Sequence, residues 1–389
     1  MNEISNFLKE RIELGDFPSA VYLVAEKGEI VLHDAIGNSV VDPEIIKAES
    51  DTIYDLASLT KPLVTGLLCS ALVENGEIEL TDKLSEFFPE FDTPDKRNIT
   101  IQNLLTHTSG FKSWLPLYLG PNVPKVDGPV TMGFCDERVK AYVISEIARR
   151  PTTQAANSWV TYSDLNFVML GLLVEKIYGR DLNYILVTEM YKKLSLFRTF
   201  YGGATDLNHE IAASEKGNAF EKQTCVEQGF LSAAAAKEST PTFRSDVIWG
   251  EVHDGNAYFM GGVAGHAGLF STAEETYSIA QQFLPSSTTL LKPETCELFT
   301  TNYTERLNEH RSFGFQMAST PDSTAGRKMS PGSFGHLGFT GTSLWIDPVR
   351  ERVFILLTNR THNHGLPFVN TNSVRRKFHD LAIGFLDKK

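Results

Sequence analysis

Ser58-Leu59-Thr60-Lys61 places a hydroxyl and an amine three residues apart. On a helix that spacing puts both side chains on one face, so the Lys61 nitrogen can reach the Ser58 hydroxyl. An unactivated serine is a weak nucleophile, and a neighbouring base with a depressed pKa is one remedy. A helix beginning at or just before Ser58 adds a positive end and free N–H groups, which disfavour a charged lysine and can receive a developing oxyanion. Ser109-Gly110-Phe111-Lys112 has the same spacing. There Gly110 and its polar flanks read as loop, and nothing holds the pair in helical geometry.

Two further segments carry usable groups. In Tyr162-Ser163-Asp164 the phenol can shuttle a proton between nucleophile and leaving group if a cation such as Lys61 stands nearby. Gly335-His336-Leu337-Gly338-Phe339-Thr340-Gly341-Thr342 reads as a glycine-rich edge strand. A ligand backbone can approach such a strand closely, while His336 can donate to a carboxylate or carbonyl.

The elements that must position these groups are legible in the hydrophobic period. Helical spacing runs over 4–14, 58–74, 101–105, 139–149, 165–178, 182–194 and 373–386. Strand patterns occupy 20–25 and 30–32, and again 343–347 and 352–357, each pair joined by a short polar turn. Strands and helices at both ends with helices between them predict an α+β fold, an antiparallel sheet flanked by helices with an all-helical domain inserted. The expected division is a discontinuous α/β domain, 1–85 with 236–389, and a mainly helical domain, 86–235, with the site between them. The Pro- and Gly-dense stretch 115–133 reads as a surface loop.

The 389 residues carry 36 Lys+Arg against 48 Asp+Glu, a formal charge of −12 with no basic block, so neither nucleic acid nor an anionic membrane is an expected partner. No apolar segment follows a basic start, and none approaches the length of a membrane span, which points to a cytoplasmic address. Cys69, Cys135, Cys225 and Cys296 are far apart and form no Cys-x-x-Cys pair, as expected of reduced buried thiols. His253, Asp254 and His266 lack metal-ligand spacing, so no metal or other cofactor is implied.

Taken together, the Ser-x-x-Lys at 58, the Tyr-x-Asp at 162 and the His-x-Gly at 336 resemble, in order and spacing, the serine β-lactamase and penicillin-binding-protein superfamily. The likeness is to its class C β-lactamase-like branch, which includes D,D-peptidases, D-aminopeptidases and family VIII esterases. It extends from about residue 5 to 385 and includes Ile53-Tyr54-Asp55-Leu56-Ala57, Leu104-Leu105-Thr106-His107-Thr108-Ser109-Gly110 and the glycine-rich segment from Gly262 to Ser271. The resemblance implies a β-lactamase/transpeptidase-like fold and an acyl-enzyme on Ser58, with Lys61 and Tyr162 moving the proton and either one serving as base. It also places the oxyanion between the backbone N–H groups of Ser58 and Phe339, and assigns His107 to structure.

Asp164, His336, Gly338 and Phe339 are the implied substrate-binding residues, and two of them depart from the branch. His336-Leu337-Gly338 stands where class C β-lactamases have Lys-Thr-Gly, and histidine is not a permanent cation for a lactam carboxylate, which disfavours β-lactam hydrolysis. Asp164 stands where many relatives have asparagine; an ionised aspartate only accepts hydrogen bonds, so it suits a substrate N–H or caps the following helix. The segment 250–257 is most similar to a subgroup that turns over cell-wall fragments, including amidases that cut muramic acid from peptide. The expected function is therefore a serine hydrolase acting on a small-molecule or peptide amide or ester, such as a muropeptide or a small ester. The alternatives are β-lactamase or D,D-carboxypeptidase activity, or a non-catalytic peptidoglycan-fragment-binding protein of the same fold.

Overall fold

The computed structural model describes residues 2–120, 122–124, 132–237 and 243–388. Of the stretch 115–133, residues 121 and 125–131 lie outside this set.

Seven antiparallel strands form the main sheet in the order β3-β2-β1-β10-β9-β8-β7. These are β1 (Ser19–Glu26), β2 (Glu29–Val40), β3 (Ile46–Lys47), β7 (Gln316–Met317), β8 (Phe334–Leu337), β9 (Ser343–Asp347) and β10 (Arg352–Thr358). β1 and β2 are joined by Lys27 and Gly28, both at positive φ (51° and 83°), the backbone twist that a two-residue hairpin turn requires. The near-continuous apolar run Ala20 to Ala25 follows from burial on both faces of the sheet. On one face Tyr22, Trp345 and Phe354 pack against the helices Glu3–Glu13 and Asn372–Leu386. On the other, Val21, Leu23, Leu344 and Ile355 join the larger core that holds the remaining helices.

A second sheet, in the order β4-β6-β5, joins three short strands: β4 (Tyr54–Asp55), β5 (Phe200–Tyr201) and β6 (Leu269–Ser271). Two-residue strands leave no alternation to read, and this sheet was not expected. It matters because β4 leads directly into Ser58 and β5 belongs to the middle of the chain. That middle is otherwise helical, with Ile101–Leu105, Glu137–Ala148 and Asp164–Tyr178 close to the expected spans.

Two helices differ from expectation. The 182–194 helix is α-helical over Leu182–Leu186, widens to a π-helix over Val187–Tyr191 and ends as Lys192–Leu194. The 58–74 helix starts as a 3-10 turn, Ala57–Leu59, continues as a π-helix, Lys61–Gly66, and becomes α-helical over Leu67–Glu74. Pro62 lies at its first wide turn and has no N–H to give, which keeps it compatible with a helix start. Among the described residues no helix is long and apolar enough to cross a membrane. All four cysteines are buried and free.

Candidate active site

Ser58 follows Ala57, whose φ of 48° is unusual for a non-glycine residue. Asp55 holds that conformation: its Oδ1 accepts the Ala57 N–H at 2.8 Å and its Oδ2 the His253 N–H at 2.7 Å. Strain of this kind persists where surroundings over-determine it. Lys61, with a fully buried side chain, donates to Ser58 Oγ at 2.8 Å and to the His266 carbonyl at 2.9 Å. A third acceptor, Asp164 Oδ1, lies 2.7 Å away. The His266 carbonyl can reach this position because Gly265 packs directly on Gly171; a Cβ at Gly265 would stand 2.2 Å from the Phe167 carbonyl oxygen.

These contacts correct the expected state of the lysine. Burial works against its charge, but the Asp164 carboxylate and the Tyr162 phenol outweigh this and leave the Lys61 pKa above its ordinary value, despite the helix start. Three obligate or available acceptors fit an ammonium, which has three N–H groups to give. Tyr162 is also raised, by burial, with the Lys61 ammonium opposing, and its hydroxyl bonds with both Lys61 and Ser58. Asp164 is the first residue of the helix Asp164–Tyr178, whose N-cap is Ser163; its side chain is spent on Lys61.

β8 is not the sheet edge, since Gln316 and Met317 of β7 pair with Gly335 and Phe334. Beyond Gly335 the outer side of β8 carries no partner strand and faces the cavity. His336 Nδ1 lies 2.9 Å from the Leu337 carbonyl, an obligate acceptor, so Nδ1 carries the proton. Burial, with Lys61 and Arg311 nearby, holds the ring neutral, its pKa well below the usual histidine value. Nε2 is therefore an acceptor, and the expected donation from His336 to a substrate carboxylate is not available from it.

The turn after β8 is fastened to the segment that leads into Ser58. Thr340 Oγ1 donates to the Asp55 carbonyl at 2.8 Å and Thr342 Oγ1 to the Leu56 carbonyl at 3.0 Å. Gly338 allows the approach, because a Cβ there would lie 2.6 Å from the Leu56 carbonyl oxygen. Among the described residues no backbone acceptor takes the N–H of Ser58 or of Phe339. Ser58, Tyr162, Asp164, His336, Gly338 and Phe339 all line one cavity of about 490 Å³, with Lys61 bonded beneath Ser58.

Trp114, Phe220, Arg311 and Glu221, which the sequence did not single out, complete its walls. Trp114, Phe220 and Phe339 form an aromatic side, with Phe220 and Phe339 centroids 4.7 Å apart. Arg311 lies 5.4 Å from the Tyr162 ring centroid. It is 5% exposed, lines the cavity and pairs through Nη2 with Glu309, while among the described residues no acceptor takes its Nε or Nη1. Glu221, buried beside Asp254, is pushed up to about 7 while accepting from Tyr118 Oη and the Gly255 N–H.

The 250–257 segment has a structural account. His253 pairs with Glu215 at 2.8 Å, and Asp254 caps the helix Gly255–Phe259 and meets His266 at 3.0 Å. Asn256 fastens the 115–117 backbone through Leu115 O and Leu117 N. Ser109 and Lys112 stand apart from the cavity: Ser109 Oγ is spent on Asn166, and His107 packs at a tilt behind Tyr162 with centroids 4.6 Å apart.

An antiparallel sheet flanked by helices, with a serine that opens on a cavity and is bonded to a buried lysine, is the architecture of a serine hydrolase. The chain belongs to the Beta-lactamase family, which matches residues 4–375. An Escherichia coli (strain K12) protein named "Putative D-alanyl-D-alanine carboxypeptidase" is 29% identical over 383 residues, covering 93% of this chain and 83% of its own length. Similar solved structures include EstCE1, a hydrolase with promiscuous acyltransferase activity, at TM-score 0.71 and 18% identity, covering 97% of both chains. A class C β-lactamase from Rhodobacter sphaeroides aligns at TM-score 0.68 and 16% identity, covering 99% of this chain and 100% of its own. At these identities the likeness is one of fold.

Proposed function

We propose that Ser58 is the nucleophile of an acyl-transfer hydrolysis and that Lys61 and Tyr162 together are the base. The observation that carries this reading is the 2.8 Å contact between Lys61 Nζ and Ser58 Oγ on the floor of the cavity. The His266 carbonyl and Asp164 carboxylate only accept hydrogen bonds, so each keeps an N–H of Lys61 when the amine is neutral. The lone pair then faces Ser58. Ser58 Oγ attacks the substrate carbonyl as its proton passes to the Lys61–Tyr162 pair, and the oxyanion is received by the Ser58 and Phe339 N–H groups. The pair returns the proton to the leaving amine or alcohol, and a water, deprotonated by the same pair, hydrolyses the acyl-Ser58 ester.

The substrate class is an amide or ester whose leaving or acyl part bears a carboxylate, with a peptide ending in a free carboxylate the favoured case. Arg311 supports this, as a guanidinium that lines the cavity and whose Nε and Nη1 have no acceptor among the described residues. β-Lactams are disfavoured, because the position that usually supplies a cation is the neutral His336. The test is turnover of p-nitrophenyl acetate and butyrate, nitrocefin, a D-alanyl-D-alanine peptide and muramyl-L-alanine by the unaltered protein and Ser58→Ala. Loss of hydrolysis and of fluorophosphonate labelling in Ser58→Ala is expected, and continued turnover by that variant would sink the assignment.

A further inference from the structure

Two arginines meet at the turn that follows β8. Arg375, on the helix Asn372–Leu386, donates from Nη2 to the carbonyls of Gly338 at 2.9 Å and Thr342 at 3.0 Å. Its Nη1 reaches Asn372 Oδ1 at 3.1 Å. Arg360 donates from Nε to the Phe339 carbonyl at 2.7 Å and from Nη1 to the Val369 carbonyl at 2.8 Å, with its guanidinium 5.0 Å from the Phe339 ring centroid. Every one of these guanidinium contacts is to a neutral oxygen. The two charges are near enough that Arg360 adds to burial in lowering Arg375 to about 9. Like charges held largely out of water are costly where, as among the described residues here, no counter-ion meets them, and three of the carbonyls that receive them belong to the single turn 338–342.

The geometry of the peptide bond gives this arrangement a role. The Gly338 carbonyl and the Phe339 N–H are the two ends of one peptide group. A cation bound at the oxygen end draws electron density from the nitrogen end, making that N–H a stronger donor and fixing its direction. We propose that Arg375 is a positioning residue of the oxyanion site, polarising the peptide whose other end is the Phe339 N–H, with Arg360 bracing the next peptide. The proposal rests on the reading of that N–H as an oxyanion donor.

The test uses p-nitrophenyl butyrate, which has no carboxylate, so an effect cannot arise from pairing with a substrate anion. Removing one oxyanion donor typically costs about 10²–10³ in kcat, so Arg375→Gln is expected to lower kcat by roughly 10- to 100-fold with KM within about threefold. Affinity for phenylboronic acid, whose adduct with Ser58 is tetrahedral, falls by a similar factor. Arg375→Lys, which keeps the charge, recovers part of both. Should Arg375→Gln fail to fold by circular dichroism, Arg360→Gln carries the test, with a smaller loss in kcat and boronate affinity. Unchanged boronate affinity in the folded variant, or a rise in KM alone, overturns the proposal. Fluorophosphonate labelling of the unaltered protein separates the two readings: no adduct at Ser58 overturns the nucleophile and this proposal with it, whereas an adduct with unchanged kcat in the variants overturns the arginine role only.

Discussion

Lys61 Nζ lies 2.7 Å from Asp164 Oδ1, closer than it lies to Ser58 Oγ at 2.8 Å. The amine proposed to take a proton from Ser58 is thus held charged by a carboxylate, and the site at rest contains an ammonium and a neutral phenol.

In the proposed mechanism, activity follows deprotonation of that pair. Because both Lys61 and Tyr162 are raised, the acid limb of the kcat/KM profile for p-nitrophenyl butyrate is expected above neutrality. Asp164 raises both groups, so Asp164→Asn moves the limb to lower pH. A limb that stays in place or moves up in that variant contradicts the assignment of the base.

Removing the Thr340 hydroxyl cuts a tie between the oxyanion turn and the Asp55 carbonyl. Thr340→Val is expected to lower kcat by about tenfold, less than loss of an oxyanion donor itself, with Thr340→Ser restoring most of it. Steady-state kinetics of both variants decide the point; equal rates in the Val and Ser forms would detach the hydroxyl from catalysis.

Arg311→Gln should act through substrate charge. KM for a peptide ending in a free carboxylate is expected to rise by roughly 10-fold or more, the scale of a charge-assisted hydrogen bond, while kinetics on p-nitrophenyl acetate change little. The same rise with the peptide amide would place Arg311 in general packing.

The His253–Glu215 pair is buried on both sides, with side-chain exposures of 4% and 3%. Breaking such a pair by removing one partner costs about 3–5 kcal/mol, so Glu215→Gln should show that order of loss in denaturant unfolding. Although burial lowers it, contact with Glu215 leaves the His253 pKa above its ordinary value. Its contribution is therefore complete below about pH 6.5, the unfolded value, and fades as pH rises through the folded value. Equal stability of the two proteins at pH 6 would remove the pair from the account.

The residues legible in sequence were those whose spacing is local or whose motif is compact. Ser58 and Lys61 meet because three residues make one helical turn, and Tyr162 and the 335–342 turn stand out by composition. The contacts that set their state join distant segments: Asp164 to Lys61, His266 O to Lys61, Thr340 and Thr342 to the backbone before Ser58, Arg375 to Gly338. No period or short motif encodes those meetings, so the depressed lysine expected from the helix start gave way to a raised one. The direction of the His336 donation was hidden for a similar reason, since only the Leu337 carbonyl beside Nδ1 reveals which nitrogen holds the proton. The helix over 57–74 was visible as an apolar stripe, but that stripe cannot register its passage from 3-10 to π to α.

β1 pairs with β10 from Ala20, opposite Thr358, to Glu26, opposite Arg352. A ribosome releases the first of these strands more than 300 residues before its partner. Until then the N-terminal hairpin keeps one apolar edge unpaired, and the sheet that carries the oxyanion turn cannot close. A pairing of such long range forms only after the C-terminal strands are made, a topology that slows folding and keeps the Ser58 site unassembled until they emerge.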